Sequence, residues 1–350
     1  MGEEESSLEG LGMSQFWKDR SVLITGHTGF KGTWLTLWLH SLGAKVTGFS
    51  IEDNGQFFKS ANVSDQINHI IGDICYQKQI EAAVRDADPE VVFHLAAQSL
   101  VLESYQSPAQ TWSTNVMGTL NLLEAMRRLN GSRVGIMVTT DKVYKNLETG
   151  RPFVEEDVLG GRDPYSASKS AMEIAVACWR DSFCTTQGHR IATVRSGNVI
   201  GGGDWSQNRI IPDLARAQIT KETLKLRNPH SVRPWQHVLD PLSGYLRLAI
   251  SLSESDDPKF QSSFNFGPTS DNFRTVEELV NAVYGLWPGS FEIDKDRNPP
   301  HEAQLLMLDT EKSRKLLGYE SLLDFDRSVE TTIDWYKSTF DGKNPLEITL

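Results

Sequence analysis

The strongest constraint in this chain is a rhythm. Apolar strand-like runs ("SVLITG", "AKVTGFS", "HIIGDI", "VVFHLAA", "VGIMVTT", "RIATVRSGNVI") alternate with stretches, residues 31–43, 76–88, 111–130 and 165–187, whose apolar residues recur at helical spacing. Strands separated by helices can pair in parallel through crossovers, and parallel strands need cover on both faces. The expectation is therefore α/β: a Rossmann-type, doubly wound parallel sheet. After about residue 200 the pattern changes. Gly, Pro, Asn and Trp crowd "GGGDWSQNRIIPDL" and "RNPHSVRPWQHVLDPL", and shorter elements follow. Residues 16–200 thus read as the main dinucleotide-binding part. Residues 201–350 read mainly as a smaller C-terminal α+β substrate lobe, with some segments returning to the sheet. Thr275 and Glu278 in "TVEELV" form a capping-box pattern that starts a helix there. The opening "MGEEESSLEGLG" is acidic and Gly/Ser-bearing, so residues 1–15 read as a solvated tail.

Composition narrows the partners. No apolar run approaches the length of a membrane span. A net charge of -11 argues against nucleic acid or an anionic bilayer held by bulk electrostatics, so any phosphate must be held by local devices. Cys75, Cys178 and Cys184 lack Cys-x-x-Cys spacing, which suggests neither disulfides nor zinc and makes a reducing cytoplasm the default.

"LITGHTGFKGTWL" supplies such a device. A strand ending at Thr25, glycines at 26, 29 and 32, and a helix starting near Phe30 make a turn that seats a pyrophosphate on a helix N-terminus. Gly26 permits the tight turn, Gly29 the approach of phosphate, and Gly32 close helix packing. A glycine-rich connection is the plainer alternative. Glu52 and Asp53 stand slightly late for the acid that reads the adenosine ribose. No Lys or Arg occurs from Val46 to Phe58, so NAD is favoured over NADP, although Lys31 could serve a 2′-phosphate. Asp73 at the end of "GDI" is placed to receive an adenine amino group, or merely forms a turn.

Tyr165 and Lys169, four apart in "DPYSASK", share one helix face. A phenol is a poor base near neutral pH, but a neighbouring ammonium and a cationic nicotinamide favour its phenolate. Upstream, "VTTDKVY" offers Thr139, Thr140, Asp141 and Lys142 at the carboxyl edge of the sheet, where ligands of this architecture bind; a capped polar loop is the alternative. His230 and His237 flank Arg233 without ligand spacing, so no metal is implied. Glu155, Glu156 and Asp157 read as a solvated loop, and Trp34 with Trp38 as a core stripe.

Taken together, "TGHTGFKGTWL", "HLAAQSLV", "STNVMGTLNLLEA", "DPYSASK", "VRSGNVIGGGDW", "RIIPDL", "RNPHSVRPWQHVLDPLSGY", "FNFGP" and "HEAQLLMLD" resemble the extended short-chain dehydrogenases/reductases that act on nucleotide sugars, over about residues 16–337. The glycine turn and Tyr-x-x-x-Lys belong to the whole superfamily. "GNVIGGGDW" and "RPWQHVL" are narrower and resemble its CDP-glucose 4,6-dehydratase branch. The resemblance implies NAD held by Gly26, Thr28, Gly29, Phe30, Gly32, Asp73, Ile74, Leu95, Ala96, Ala97, Asn115, Tyr165 and Lys169. It implies CDP-glucose held by Gln98, Ser99, Asn198, Arg209 and Arg233, the arginines suiting a diphosphate. The implied chemistry is redox-neutral. Tyr165, helped by Thr140, takes the sugar 4-hydroxyl proton while hydride leaves C4; the C5 proton is then lost, Asp141 protonates the departing 6-hydroxyl, and hydride returns to C6. Asp141 must stay protonated for that role. Relatives using other nucleotides carry Thr-Asp-Glu, whereas this chain has Lys142, so the C5 base is open between Lys142 and another group. Rival readings are an NAD-dependent epimerase and a catalytically silent NAD-binding regulator. The helical stretches 111–130 and 165–187 resemble those that pair family dimers into four-helix bundles, implying a homodimer or homotetramer.

Overall fold

The computed structural model describes residues 12–51, 55–147, 150–268, 272–294 and 306–350. Seven strands form one sheet: β1 (Ser21–Thr25), β2 (Lys45–Ser50), β3 (Asn68–Ile71), β4 (Val91–His94), β5 (Val134–Val138), β6 (Arg190–Arg195) and β7 (Ser263–Asn265). Their order is β7-β6-β5-β4-β1-β2-β3, every neighbouring pair is parallel, and the order reverses between β1 and β4. That reversal opens a crevice at the carboxyl ends of the strands.

Both faces are covered, and the strands divide their side chains accordingly. Val22, Ile24, Val91, Phe93, Ile136 and Val194 pack on one face with Trp34 and Leu35 of α1 (Phe30–Ser41). Leu23, Val92, Met137 and Ile191 pack on the other with α2 (Gln77–Ala87), α3 (Gly118–Arg127) and α4 (Pro164–Trp179). This is the alternation that a strand buried on both sides must show. Trp34 is buried and its indole N–H donates to the Gly202 carbonyl at 2.8 Å, while Trp38 packs half-buried beside the same core.

Two expected helices are interrupted. Stretch 111–130 carries a π-helical turn at Ser113–Met117 before α3, and stretch 165–187 carries one at Arg180–Cys184 after α4. Such turns insert a residue to re-aim side chains, here Asn115. Beyond β6 lie α5 (Ile210–Thr220), α6 (Leu239–Glu254), α7 (Val276–Leu286) and three two-stranded ladders. Thr275 and Glu278 cap α7 reciprocally, as the pattern predicts. β7 reaches back from this region to β6, with Ser263–Asn265 opposite Thr193–Arg195. Ordered packing starts earlier than a tail of 15 residues implies: residues 12–17 are helical, Met13 and Phe16 pack on the core and Trp17 is fully buried.

Candidate active site

The glycine turn fits its expected geometry unevenly. Gly26 takes φ +73, and a Cβ there would lie 2.6 Å from the Ala96 amide nitrogen, so the turn sits directly on the Leu95–Ala96 backbone. A Cβ on Gly32 would overlap the Gly26 carbonyl, which is the close packing expected of it. Gly29 has no such reason. Its φ of -74 and ψ of 171 suit any residue, and a Cβ would come no closer than 3.4 Å to the protein. What a side chain at 29 would obstruct is the open space before α1, whose first turn has no acidic residue and no side-chain cap. Unsatisfied amides facing open space are what a phosphate requires, so these residues fit a dinucleotide. The Thr28 hydroxyl bonds Ser50 Oγ at 2.9 Å, tying the turn to the end of β2. Glu52 and Asp53 lie outside the described residues.

Below the crevice, the Thr25 hydroxyl meets His94 Nδ1 at 2.7 Å and His94 Nε2 meets Thr119 at 2.9 Å, locking β1, β4 and α3 together. Asn115 is fully buried. It accepts from the Gln98 amide at 2.9 Å and donates to the Gln98 carbonyl and Ser168 Oγ, so its carboxamide clamps the Leu95–Ala96–Ala97 loop to α4. Gln98 spends its own carboxamide on Leu100 and Thr111. Asp73 accepts from the Cys75 amide at 2.8 Å, the turn-forming role, and the Ile74 side chain is core, with Gly118 pressed against it.

The opposite wall gathers the predicted acid–base residues. Asp163 caps α4 with Pro164 in its first turn, which fixes Tyr165 and Lys169 on the face toward β5. Tyr165 is buried, and burial pushes its phenol up to about 12, opposed by the Thr140 hydroxyl and Arg209. The Lys169 ammonium donates to the Val138 carbonyl at 2.9 Å, and burial holds it down to about 8 against the pull of Glu173. Within the chain alone desolvation dominates at the phenol, and the Lys169 ammonium is bonded to a backbone carbonyl. Thr140 caps the turn Asp141–Val143 and donates to Asp141 Oδ1 at 3.0 Å. Asp141 is fully buried, its Oδ2 has no hydrogen-bond partner, and Lys142 Nζ stands 3.7 Å from Oδ1.

Beneath these lies a network that sequence reasoning missed. Glu173, one turn beyond Lys169 on α4, receives the Thr139 and Thr193 hydroxyls and a paired Arg195 guanidinium at 2.8 and 2.9 Å. Arg195 also donates to the Tyr144 hydroxyl at 2.8 Å, and Tyr144 to Asn265 on β7 at 2.6 Å. The only legible signal was Glu173 continuing the i, i+4 row of Tyr165 and Lys169.

In the loop after β6, Asn198 takes a left-handed φ of 50, and its buried Oδ1 has no hydrogen-bond partner among the described residues. Arg209 bridges Asp204 and Ser99, both at 3.1 Å, and Arg233 is buried on the ladder strand Val232–Pro234. Lys31, considered above for a 2′-phosphate, turns away from β2 and donates to Ser196 Oγ at 2.8 Å after β6. Glu155 and Asp157 also differ from a solvated loop. Glu155 accepts from the Asn265 amide at 2.8 Å, and Asp157 binds Arg151 and the Val154 amide. His237 is buried, whereas His230 is exposed opposite Glu277. Among the described residues no cluster of His, Cys, Asp or Glu is placed to hold a metal ion.

The family model described as GDP-mannose 4,6 dehydratase matches residues 23–332. The chain belongs to this family. It is 39% identical over 340 residues to a CDP-glucose 4,6-dehydratase of Salmonella typhimurium, covering 95% of this chain and 94% of that protein. It is 28% identical over 355 residues to a dTDP-glucose 4,6-dehydratase of Xanthomonas campestris pv. campestris, covering 93% and 97%. Among solved structures, the dTDP-glucose 4,6-dehydratase of Bacillus anthracis, in complex with NAD, superposes with a TM-score of 0.76 at 22% identity, covering 93% and 99%. An epimerase of Methanothermobacter thermautotrophicus superposes at 0.80, also at 22% identity, covering 94% and 96%. Both solved structures share the fold described here, and one of them was solved with NAD.

Proposed function

We propose that this protein is a CDP-glucose 4,6-dehydratase, a hydro-lyase that converts CDP-D-glucose to CDP-4-dehydro-6-deoxy-D-glucose and water with bound NAD. The observation that carries the reading is Asp141: a fully buried carboxyl group with one free oxygen, at the carboxyl end of β5 beside Thr140 and near Tyr165. An epimerase has no use for an acid there. The likeness to the Salmonella protein supports the nucleotide.

NAD would be held by the amides of the glycine turn and by the loop Leu95–Ala97, and would supply the acceptor and donor of hydride there. Tyr165 takes the 4-hydroxyl proton, and Thr140 donates to the developing 4-oxygen. Both act in a desolvated pocket, where a cationic ring offsets the cost of the phenolate. The 4-ketone acidifies C5, whose proton passes to Lys142 or a group near it and is given back to C5 when hydride arrives at C6. Asp141 gives its proton to the 6-hydroxyl as water leaves. Arg209 and Arg233 suit the substrate diphosphate, and Asn198 and Ser99 the sugar and phosphate oxygens, so residues 201–350 serve mainly as the nucleotide-sugar lobe.

The protein works as a homodimer or a pair of dimers in the cytoplasm. Tyr105, Trp112, Met117, Ile174 and Phe183 expose large apolar surfaces along Val101–Met117, α4 and the turn after it, a stripe that a second copy would cover. The three cysteines are free thiols, as a reducing compartment allows.

The test is incubation with CDP-glucose and with the dTDP-, UDP- and GDP-sugars. A 6-deoxy-4-keto product from CDP-glucose, without net NADH at 340 nm, is expected. An epimerised hexose, preference for another nucleotide, or no turnover in a single-turnover assay overturns the reading.

A further inference from the structure

Gln236 belongs to "RPWQHVL", yet the scheme above gives it nothing to do. It sits on the short strand Gln236–His237, parallel to Val199–Ile200, and is fully buried. So enclosed a position is ordinarily filled by an apolar side chain. Here the carboxamide donates both of its protons to main-chain carbonyls, that of Gly197 at 2.9 Å and that of Phe266, just past β7, at 3.3 Å. Its main-chain amide donates to the Asn198 carbonyl at 3.4 Å. Two of these three bonds fall on consecutive residues of "GNVIGGGDW", so the two narrow motifs of the sequence are bonded to each other. The third ties the loop after β6 to the end of β7, whose Phe266 amide donates to the Arg195 carbonyl at 2.8 Å. Among the described residues the Gln236 Oε1 is buried without a hydrogen-bond partner. An orphaned acceptor in the core costs stability, so this side chain is there for its two donations and not to fill space.

The loop so pinned meets the Asp141 carboxyl group. A Cβ on Gly197 would overlap Asp141 Oδ2, so that oxygen lies directly against the Gly197 Cα. On its other side the carboxyl is held by bonds: the Thr140 hydroxyl donates to Oδ1 at 3.0 Å, and Lys142 Nζ stands 3.7 Å from the same atom. Oδ2 has no hydrogen bond, and contact with Gly197 is what limits it. The loop offering that contact has a glycine followed by Asn198 at a left-handed φ of 50, a conformation that must be imposed from outside. We propose that Gln236 is a positioning residue for the acid: by holding the Gly197 carbonyl it keeps the Gly197 Cα as the stop on which Asp141 rests, and so fixes the aim of that carboxyl group at the 6-hydroxyl of the sugar. The inference rests on the reading above, in which Asp141 protonates the departing 6-hydroxyl. Gln236 itself gives up no proton. Tyr165 and Lys169 are placed by α4, through the Asp163 cap and the Val138 carbonyl, so oxidation at C4 does not depend on this loop.

The test asks whether the loss falls on one step and through one residue. Gln236→Met keeps the length of the side chain and removes both donors. When the whole protein with bound NAD is mixed with CDP-glucose, this variant should form enzyme-bound NADH at the wild-type rate while water loss slows by about 10- to 10²-fold, so that NADH and a 4-keto hexose with its 6-hydroxyl intact accumulate. KM for CDP-glucose should stay within about twofold of the wild type. Added to Asp141→Asn, Gln236→Met should cost nothing further, because the group it positions has already lost its proton. Gln236→Asn, one methylene shorter, should show the same split to a smaller degree, and it decides the matter if the Met variant does not fold. Equal slowing of C4 oxidation and water loss, a full further loss on top of Asp141→Asn, or undiminished water loss overturns the proposal and leaves Gln236 a core residue only. Wild-type protein that neither reduces its NAD nor releases water with CDP-glucose sinks the functional reading instead.

Discussion

The carboxyl group of Asp141 rests on the bare Cα of Gly197, so close that a Cβ there would overlap Oδ2. The loop between β6 and the strand Val199–Ile200 is thus shaped around the proposed acid. Gly197→Ala should displace Asp141 while leaving Tyr165 in place. The expected loss is about 10²-fold in kcat, with enzyme-bound NADH visible at 340 nm on mixing with CDP-glucose. An alanine variant of undiminished kcat would show that the contact is incidental.

Asp141→Asn removes the proton without the shape. C4 oxidation should persist while water loss slows by about 10² to 10⁴. Rapid-quench analysis should find the 4-keto hexose with its 6-hydroxyl intact. Prompt 6-deoxy product from this variant would transfer the acid role to another group.

Tyr165→Phe is the contrast, since neither NADH nor keto sugar should form even in a single turnover. Lys142→Met divides the remaining step: loss of solvent deuterium exchange at C5 identifies it as the base, and retained exchange moves that role elsewhere.

The Glu173–Arg195 pair is buried, with both side chains only 2% exposed. Breaking it by Glu173→Ala should cost about 3–5 kcal/mol, because an unpaired guanidinium is left inside, and should lower the urea midpoint accordingly. Arg195 and the Thr139 and Thr193 hydroxyls hold the Glu173 carboxyl below its usual range. Its stabilising effect is therefore complete above the unfolded carboxylate pKa and lost as pH falls through the lower folded value. Replacing both partners, as in Glu173→Met with Arg195→Leu, should remove that acid-dependent loss. An unchanged acid limb would place the sensitivity in other carboxyl groups.

The layered sheet was legible because strand and helix periodicities alternate in plain view, and Tyr165, Lys169 and Asp141 because their types and positions coincide with strand and helix ends. What stayed hidden depends on contacts distant in sequence. Lys31 reaches Ser196 across 165 residues, and Arg195 finds Glu173 inside the core. The bonds by which the Gln98 and Asn115 carboxamides close the loop after β4 also join residues far apart in the chain. The π turns were invisible too, since one inserted residue leaves the apolar pattern almost unchanged.

Completion of the sheet by β7 has a consequence for synthesis. The edge of β6 pairs only with Ser263–Asn265, so a chain emerging from the ribosome exposes that hydrogen-bonding edge while the next 67 or so residues are made, at roughly 5–20 residues per second. A fragment cut near residue 200 keeps the glycine turn and Tyr165 but leaves β6 open and Arg195 without Ser263, at 2.8 Å in the whole chain. Such a half-molecule should associate through its raw edge. Expression of residues 1–200 alone is therefore expected to yield aggregate, and the regions before and after that point are obliged to fold as one cooperative unit.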